Sequence, residues 1–147
     1  MLTIQRSTWL RIAAILTAVY AVAHSAGMPW TPFTAPNEEA VVDAMKHVRF
    51  AAFGVSRSYW DFYQGFGVAI SALLFVQAAL LWQSAALAQA GGANLRPMIV
   101  TQLAGFVVNA AVAAKYIFAP PLILAAAIAC CLAGALIGPR PDTRTDS

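Results

Sequence analysis

A histidine, an aspartate and several tyrosines stand inside or beside the apolar stretches of this chain. His24 can exchange a proton near neutral pH, and Asp61 can orient it or act as a base itself. Tyr20, Tyr63 and Tyr116 can each donate a hydrogen bond to an oxygen on an apolar ligand. Spacing groups these side chains. Thr17, Tyr20 and His24 form one series, Asp61, Gln64, Val68, Ser71 and Phe75 a second, and Gln102, Gly105, Asn109 and Tyr116 a third. Steps of three, four and seven residues put each series on one helix face. Lys115 lies about 100° from Tyr116 and either reaches this cluster or snorkels to water. The expectation is an acid–base pocket with Asp61, His24, Tyr63 and Tyr20 as catalytic groups. Gln64, Asn109, Lys115, Tyr116, Arg49 and Trp60 would hold the ligand. A plainer reading stands beside it. Asp61 favours a helix N-terminus and takes a bond from Arg57 or Lys115, while His24 is a hydrogen-bonding partner between helices.

The elements that would position these groups are long and apolar. Trp9–Gly27, Phe62–Gln83, Met98–Phe118 and Pro121–Gly138 are each about long enough to cross a bilayer, which takes roughly 20 residues. The expected fold is all-α, an integral membrane four-helix up-down bundle. Its transmembrane domain covers residues 1–138, with 139–147 a disordered polar tail. In that topology the end of helix one, the start of helix two and the end of helix three share one membrane face. His24, Asp61 and Lys115 would then lie at a common level. An ionisable group at a helix centre costs ~2.5–3.5 kcal/mol, so such groups turn inward and pair.

Between the first two spans, Met28–Pro36 reads as an interfacial loop. Asn37 then caps a short amphipathic helix over Glu38–Phe53, ended by Gly54. Its apolar positions Val41, Val42, Met45, Val48 and Ala52 recur at helical spacing, and His47 and Arg49 on it would close the mouth of the pocket. Ser58 caps the next helix, which opens with the interfacial aromatics Tyr59, Trp60, Phe62 and Tyr63. Gly91 and Gly92 make a turn, and Pro97 fits the first turn of the third helix. Gly65, Gly67, Ser71, Gly105 and Ala113 are small enough to let helices approach closely.

Composition supports a membrane as the solvent. The 147 residues are 61% hydrophobic and only 10% charged, against about 25% charged in soluble domains. The net charge of +3 is dispersed and does not suit nucleic acid. Arg6, Arg11, Arg96, Arg140 and Arg144 fall on the side of the termini, and Lys46, Arg49, Arg57 and Lys115 on the other. Five against four favours cytoplasmic termini in a cell membrane. Arg6, Arg11 and the run Ile12–Ala23 also resemble a secretory leader. His24 at the −3 position of a cut after Ala26, and the stripe of Thr17 and Tyr20, favour a retained helix.

No cofactor site is legible. Two scattered histidines do not suit bis-histidine haem, no residues have zinc-ligand spacing, and no phosphate-binding glycine loop or G-x-S-x-G elbow occurs. No metal site is expected, and the adjacent Cys130 and Cys131 read as apolar filler.

The segment Ser58-Tyr59-Trp60-Asp61-Phe62-Tyr63-Gln64-Gly65-Phe66-Gly67 resembles one found in small bacterial four-helix membrane proteins. More remotely, the layout is similar to the membrane domain of sterol isomerases and sigma-2-type receptors. That likeness implies a bundle pocket whose paired acids hold a lipophilic cation; here Asp61 is without its acidic partner. The expected function is binding or transformation of a small lipophilic molecule by isomerase-, cyclase- or hydratase-like chemistry. Alternatives are a membrane interaction or assembly subunit and a small proton-coupled transporter component. The expected partners are membrane lipid, a lipophilic ligand and a second copy of the chain.

Overall fold

A computed structural model describes residues 4–27, 35–91 and 94–139. The element order is α1 (Arg6–Gly27), α2 (Glu38–His47), β1 (Arg49–Ala52), β2 (Val55–Ser58), α3 (Tyr59–Ala90), α4 (Arg96–Tyr116) and α5 (Ala119–Ile137). Among the described residues the fold is all-α apart from one small hairpin, and α1, α3, α4 and α5 are long and apolar enough to cross a membrane. Large apolar side chains on these helices, such as Ile15, Val19, Leu73, Val108 and Ile123, are exposed on the isolated chain. Hydrocarbon is the solvent that suits such surfaces.

The chain separates into two compact units, Met1–Tyr20 with Leu74–Ser147, and Ala21–Leu73. The first unit holds most of α1, the second half of α3, and all of α4 and α5. Its interior is built from small residues, Ala13, Ala14, Ala78, Ala85, Ala88, Ala113, Ala125 and Ala135, around Leu10, Leu81, Ile99, Phe106, Ile128 and Leu132. Small side chains permit the close backbone approach that drives helix association in lipid. The tightest approach is at Gly134, where an added Cβ would stand 2.8 Å from the Trp9 indole. Beside it Arg6, only 8% exposed, donates from Nε to the Ala135 carbonyl oxygen (2.9 Å). Its backbone N–H reaches the Pro139 carbonyl (3.3 Å). A guanidinium on the last carbonyls of α5 meets the negative end of that helix dipole. Arg11 reaches the far end of α3, donating to Gln89 (2.8 Å) and lying over the Trp82 ring (5.7 Å).

The second unit holds the end of α1, then α2, the hairpin and the first half of α3. β1 and β2 pair antiparallel, Arg49 opposite Ser58 through Ala52 opposite Val55. The two-residue turn has φ of 51° at Phe53 and 78° at Gly54, the backbone that a type I′ hairpin turn demands. Glycine meets that demand freely. A phenylalanine there is strained, at about 1–2 kcal/mol for a left-handed residue with a Cβ.

Several expectations are corrected. The amphipathic helix stops at His47, not Phe53, because Arg49–Ser58 pairs with itself as strands. Phe50 anchors that pairing by packing on Tyr59 (5.2 Å) and Phe62 (5.6 Å). Arg49 is therefore on a strand. Asn37 stands at the N-cap of α2 without a side-chain cap bond, and Glu38 instead accepts from the Ala35 N–H (3.3 Å). The second span runs on to Ala90, since Ser84–Ala90 is rich in good helix formers and Gly91, at φ 74°, is the first residue to break it. Nothing stands within 4 Å of a Cβ built on Gly65 or Gly105, so neither marks a helix crossing. Most of the Met28–Pro36 loop, Gly92 of the expected turn and residues 140–147 of the expected tail lie outside the described residues.

Candidate functional site

The polar stripes do join helices, in separate pairs. In the first unit Tyr20 donates its hydroxyl to Asn109 Oδ1 (3.2 Å), tying α1 to α4. The side-chain amide of Gln77 on α3 bonds Gln102 on α4. Thr17, fully buried, returns its hydroxyl to the Ala13 carbonyl of its own helix (2.7 Å). Lys115 and Tyr116 are exposed at the end of α4, the Lys115 ammonium 5.0 Å from the Tyr116 ring centre. In the second unit His24 Nδ1 lies 3.0 Å from Ser71 Oγ, tying α1 to α3.

Asp61 is engaged elsewhere. Ser58 is the N-cap of α3, and its hydroxyl oxygen accepts the Asp61 N–H (3.0 Å), while Asp61 Oδ2 accepts the Ser58 N–H (2.9 Å). This is a capping box with aspartate in the reciprocal position. The partner of His24 is ten residues further along α3, about 15 Å at 1.5 Å per residue. The expected His24–Asp61 pair is therefore not formed. The two side chains sit at different levels, His24 beside the Ser71 hydroxyl and the Asp61 carboxylate on the Ser58 backbone N–H.

Around Asp61 the second unit collects aromatics and cations. Trp60 packs on Tyr63 (5.5 Å between ring centres) and carries the Lys46 ammonium over its face (5.3 Å). Arg49 donates to the Ser56 hydroxyl and carbonyl (both 3.1 Å), and His47 to the Asp43 carbonyl (2.9 Å). Gln64 is half-buried one turn into α3. Phe62 and Phe66 meet edge to face at 4.7 Å.

Phe62 and Phe66 border an open groove of about 310 Å³, lined by Arg57, Asp61, Phe62, Gly65, Phe66 and Ala69. From Asp61 to Ala69 the lining follows one face of α3, charged at the first turn and apolar for the next two. In the hairpin, Arg57 stands directly opposite Phe50 and so shares its face, the one that packs on α3. The groove thus joins a cation and a carboxylate to an aromatic wall, with the missing side chain of Gly65 as its floor.

Sequence spacing marked Tyr20, His24, Ser71, Gln102 and Asn109 but passed over Gln77, Trp9, Gly134 and the groove-lining role of Arg57. Gln77 is about 120° round α3 from Ser71, off the stripe that holds Asp61, Gln64 and Ser71. Arg57 acquires its place from a hairpin that periodicity did not show.

No protein-family model, curated protein or solved structure matches this chain.

Proposed function

We propose that this protein binds a small lipophilic molecule with a polar head in the groove on the first turns of α3. The observation that carries the proposal is the polarity of the lining: Arg57 and Asp61 at one end, Phe62, Gly65, Phe66 and Ala69 along the rest. A polar head would lie at the membrane boundary, beside the aromatic girdle of Tyr59, Trp60 and Tyr63. The apolar body would lie along α3 within hydrocarbon. A lining that is mostly apolar with a few convergent polar groups suits binding of a small molecule. The separation of His24 from Asp61 favours binding over acid–base turnover.

Gly65 provides the test. A side chain at this position meets nothing within 4 Å, so Gly65→Leu fills the groove without a clash and adds helix propensity. Protein purified in mild detergent is extracted, and its retained lipids and metabolites are profiled by mass spectrometry. The expected result is a lipophilic compound held by the native chain and reduced about tenfold by Gly65→Leu, the loss that ~1.4 kcal/mol of contact would produce. Equal retention by both proteins would sink the groove as the binding site.

A further inference from the structure

We infer that the hairpin is a membrane-surface anchor, with Phe53 inserted among lipid headgroups and the surrounding cations set against anionic lipid. Phe53 is 106% exposed, more open than the same side chain in an extended reference peptide. It is also held at φ 51°, in a turn position that asparagine, aspartate or glycine fills at lower cost. Water gives no return for displaying a large apolar ring on a strained backbone. A lipid interface does, because aromatic rings partition to the headgroup level.

Position supplies the second argument. β2 ends at Ser58 and α3 begins at Tyr59, so no linker separates the hairpin from a helix long enough to span a bilayer. Phe50 packs on Tyr59 and Phe62, and this ties the hairpin to the aromatic girdle at the start of that span. Val55, beside the turn, and Val48, at the base of the hairpin, are exposed as well. Each arm is four residues, about 13 Å, so the tip stays within reach of the headgroup layer.

Charge supplies the third. From Ala44 through Trp60 the sequence contains Lys46, Arg49 and Arg57 and no aspartate or glutamate, with Asp43 and Asp61 at its two borders and none on the hairpin itself. All three cations are exposed. Basic residues next to a membrane span are attracted to anionic lipids. An aromatic tip flanked by cations thus fits an anionic lipid surface better than it fits an acid-free apolar partner.

The experiment places a nitroxide label at the tip through Phe53→Cys, in a chain carrying Cys130→Ser and Cys131→Ala, reconstituted in nanodiscs of phosphatidylcholine and phosphatidylglycerol. A second label, through Glu39→Cys on exposed α2, gives the aqueous reference. The expected result is an oxygen-to-nickel accessibility ratio at position 53 clearly above the reference, because a residue at headgroup depth meets more oxygen and less nickel complex than one in water. A ratio equal to the reference places the tip in water and overturns the proposal. Exclusion of both relaxants places it against protein and also overturns it. A measurement on the unaltered chain guards against a damaged hairpin. Amide exchange over residues 48–58 should slow about fivefold when phosphatidylglycerol is added to phosphatidylcholine nanodiscs, the gain expected from one basic contact at an anionic surface. Identical exchange in both lipids overturns the anionic-lipid assignment.

Discussion

Asp61 shows how much local geometry adds to residue type. A carboxylate inside an apolar stretch invites a catalytic reading, yet one of its oxygens is occupied by the Ser58 N–H in a reciprocal cap. The role predicts a pattern of losses. Ser58→Ala and Asp61→Ala should each destabilise the protein by about 1 kcal/mol, the usual cost of losing an N-cap. Asp61→Asn, which keeps an acceptor oxygen, should cost less. The double alanine variant should lose less than the sum, because the two side chains act as one unit. Thermal unfolding followed by circular dichroism in detergent reads all four. An Asp61→Ala protein that melts with the native chain would remove the capping assignment. His24 carries the complementary lesson. Its helix face was legible from Thr17 and Tyr20 at helical spacing, but its partner was not. Choosing Ser71 over Asp61 requires the relative depth of two helices, and no one-dimensional spacing contains that.

At the level of elements, the four spans were legible because their apolar runs are long and bounded by glycine or proline. α1 and α4 begin two to three residues before their expected starts, and α5 opens two residues early with Pro120 and Pro121 in its first turn. The hairpin was not legible. The helical spacing of Val41, Val42, Met45, Val48 and Ala52 continues past His47, and the turn carries phenylalanine where a hairpin signal would carry asparagine. The contact of Phe50 with Tyr59 and Phe62, two residues on a later helix, accompanies the strands, and helical spacing within the segment does not contain it. The packing of α1 on α5 gives a sharper prediction. Gly134→Ala puts a methyl group 2.8 Å from the Trp9 indole, and overpacking of this kind costs about 1–3 kcal/mol. The same thermal unfolding measurement should show that loss, with most of it recovered when Trp9→Leu is added. A Gly134→Ala protein as stable as the native chain would mean that α1 and α5 pack less closely than described.

For the molecule as a whole, the membrane reading and the fate of the first helix belong together. α1 has the residues of a secretory leader, but Leu10, Ala13, Ala14 and Thr17 are in the interior of the first unit, and Tyr20 and Arg6 bond to α4 and α5. A discarded segment would take those contacts with it and leave α3, α4 and α5 with an open face. The mature chain is therefore expected to retain α1. Intact-mass measurement on protein extracted from membranes checks this directly, and a mass short of residues 1–26 would contradict the packing.

The bond from Arg6 to the Ala135 carbonyl joins residues 129 positions apart, and this bears on how the protein is made. The first helix leaves the ribosome long before its permanent neighbour exists, so α1 must wait, inserted but incompletely packed, until α5 has been synthesised. Closure of the first unit then has to await α5. A ribosome that stops short of the codon for Ala135 releases a chain that lacks this clasp.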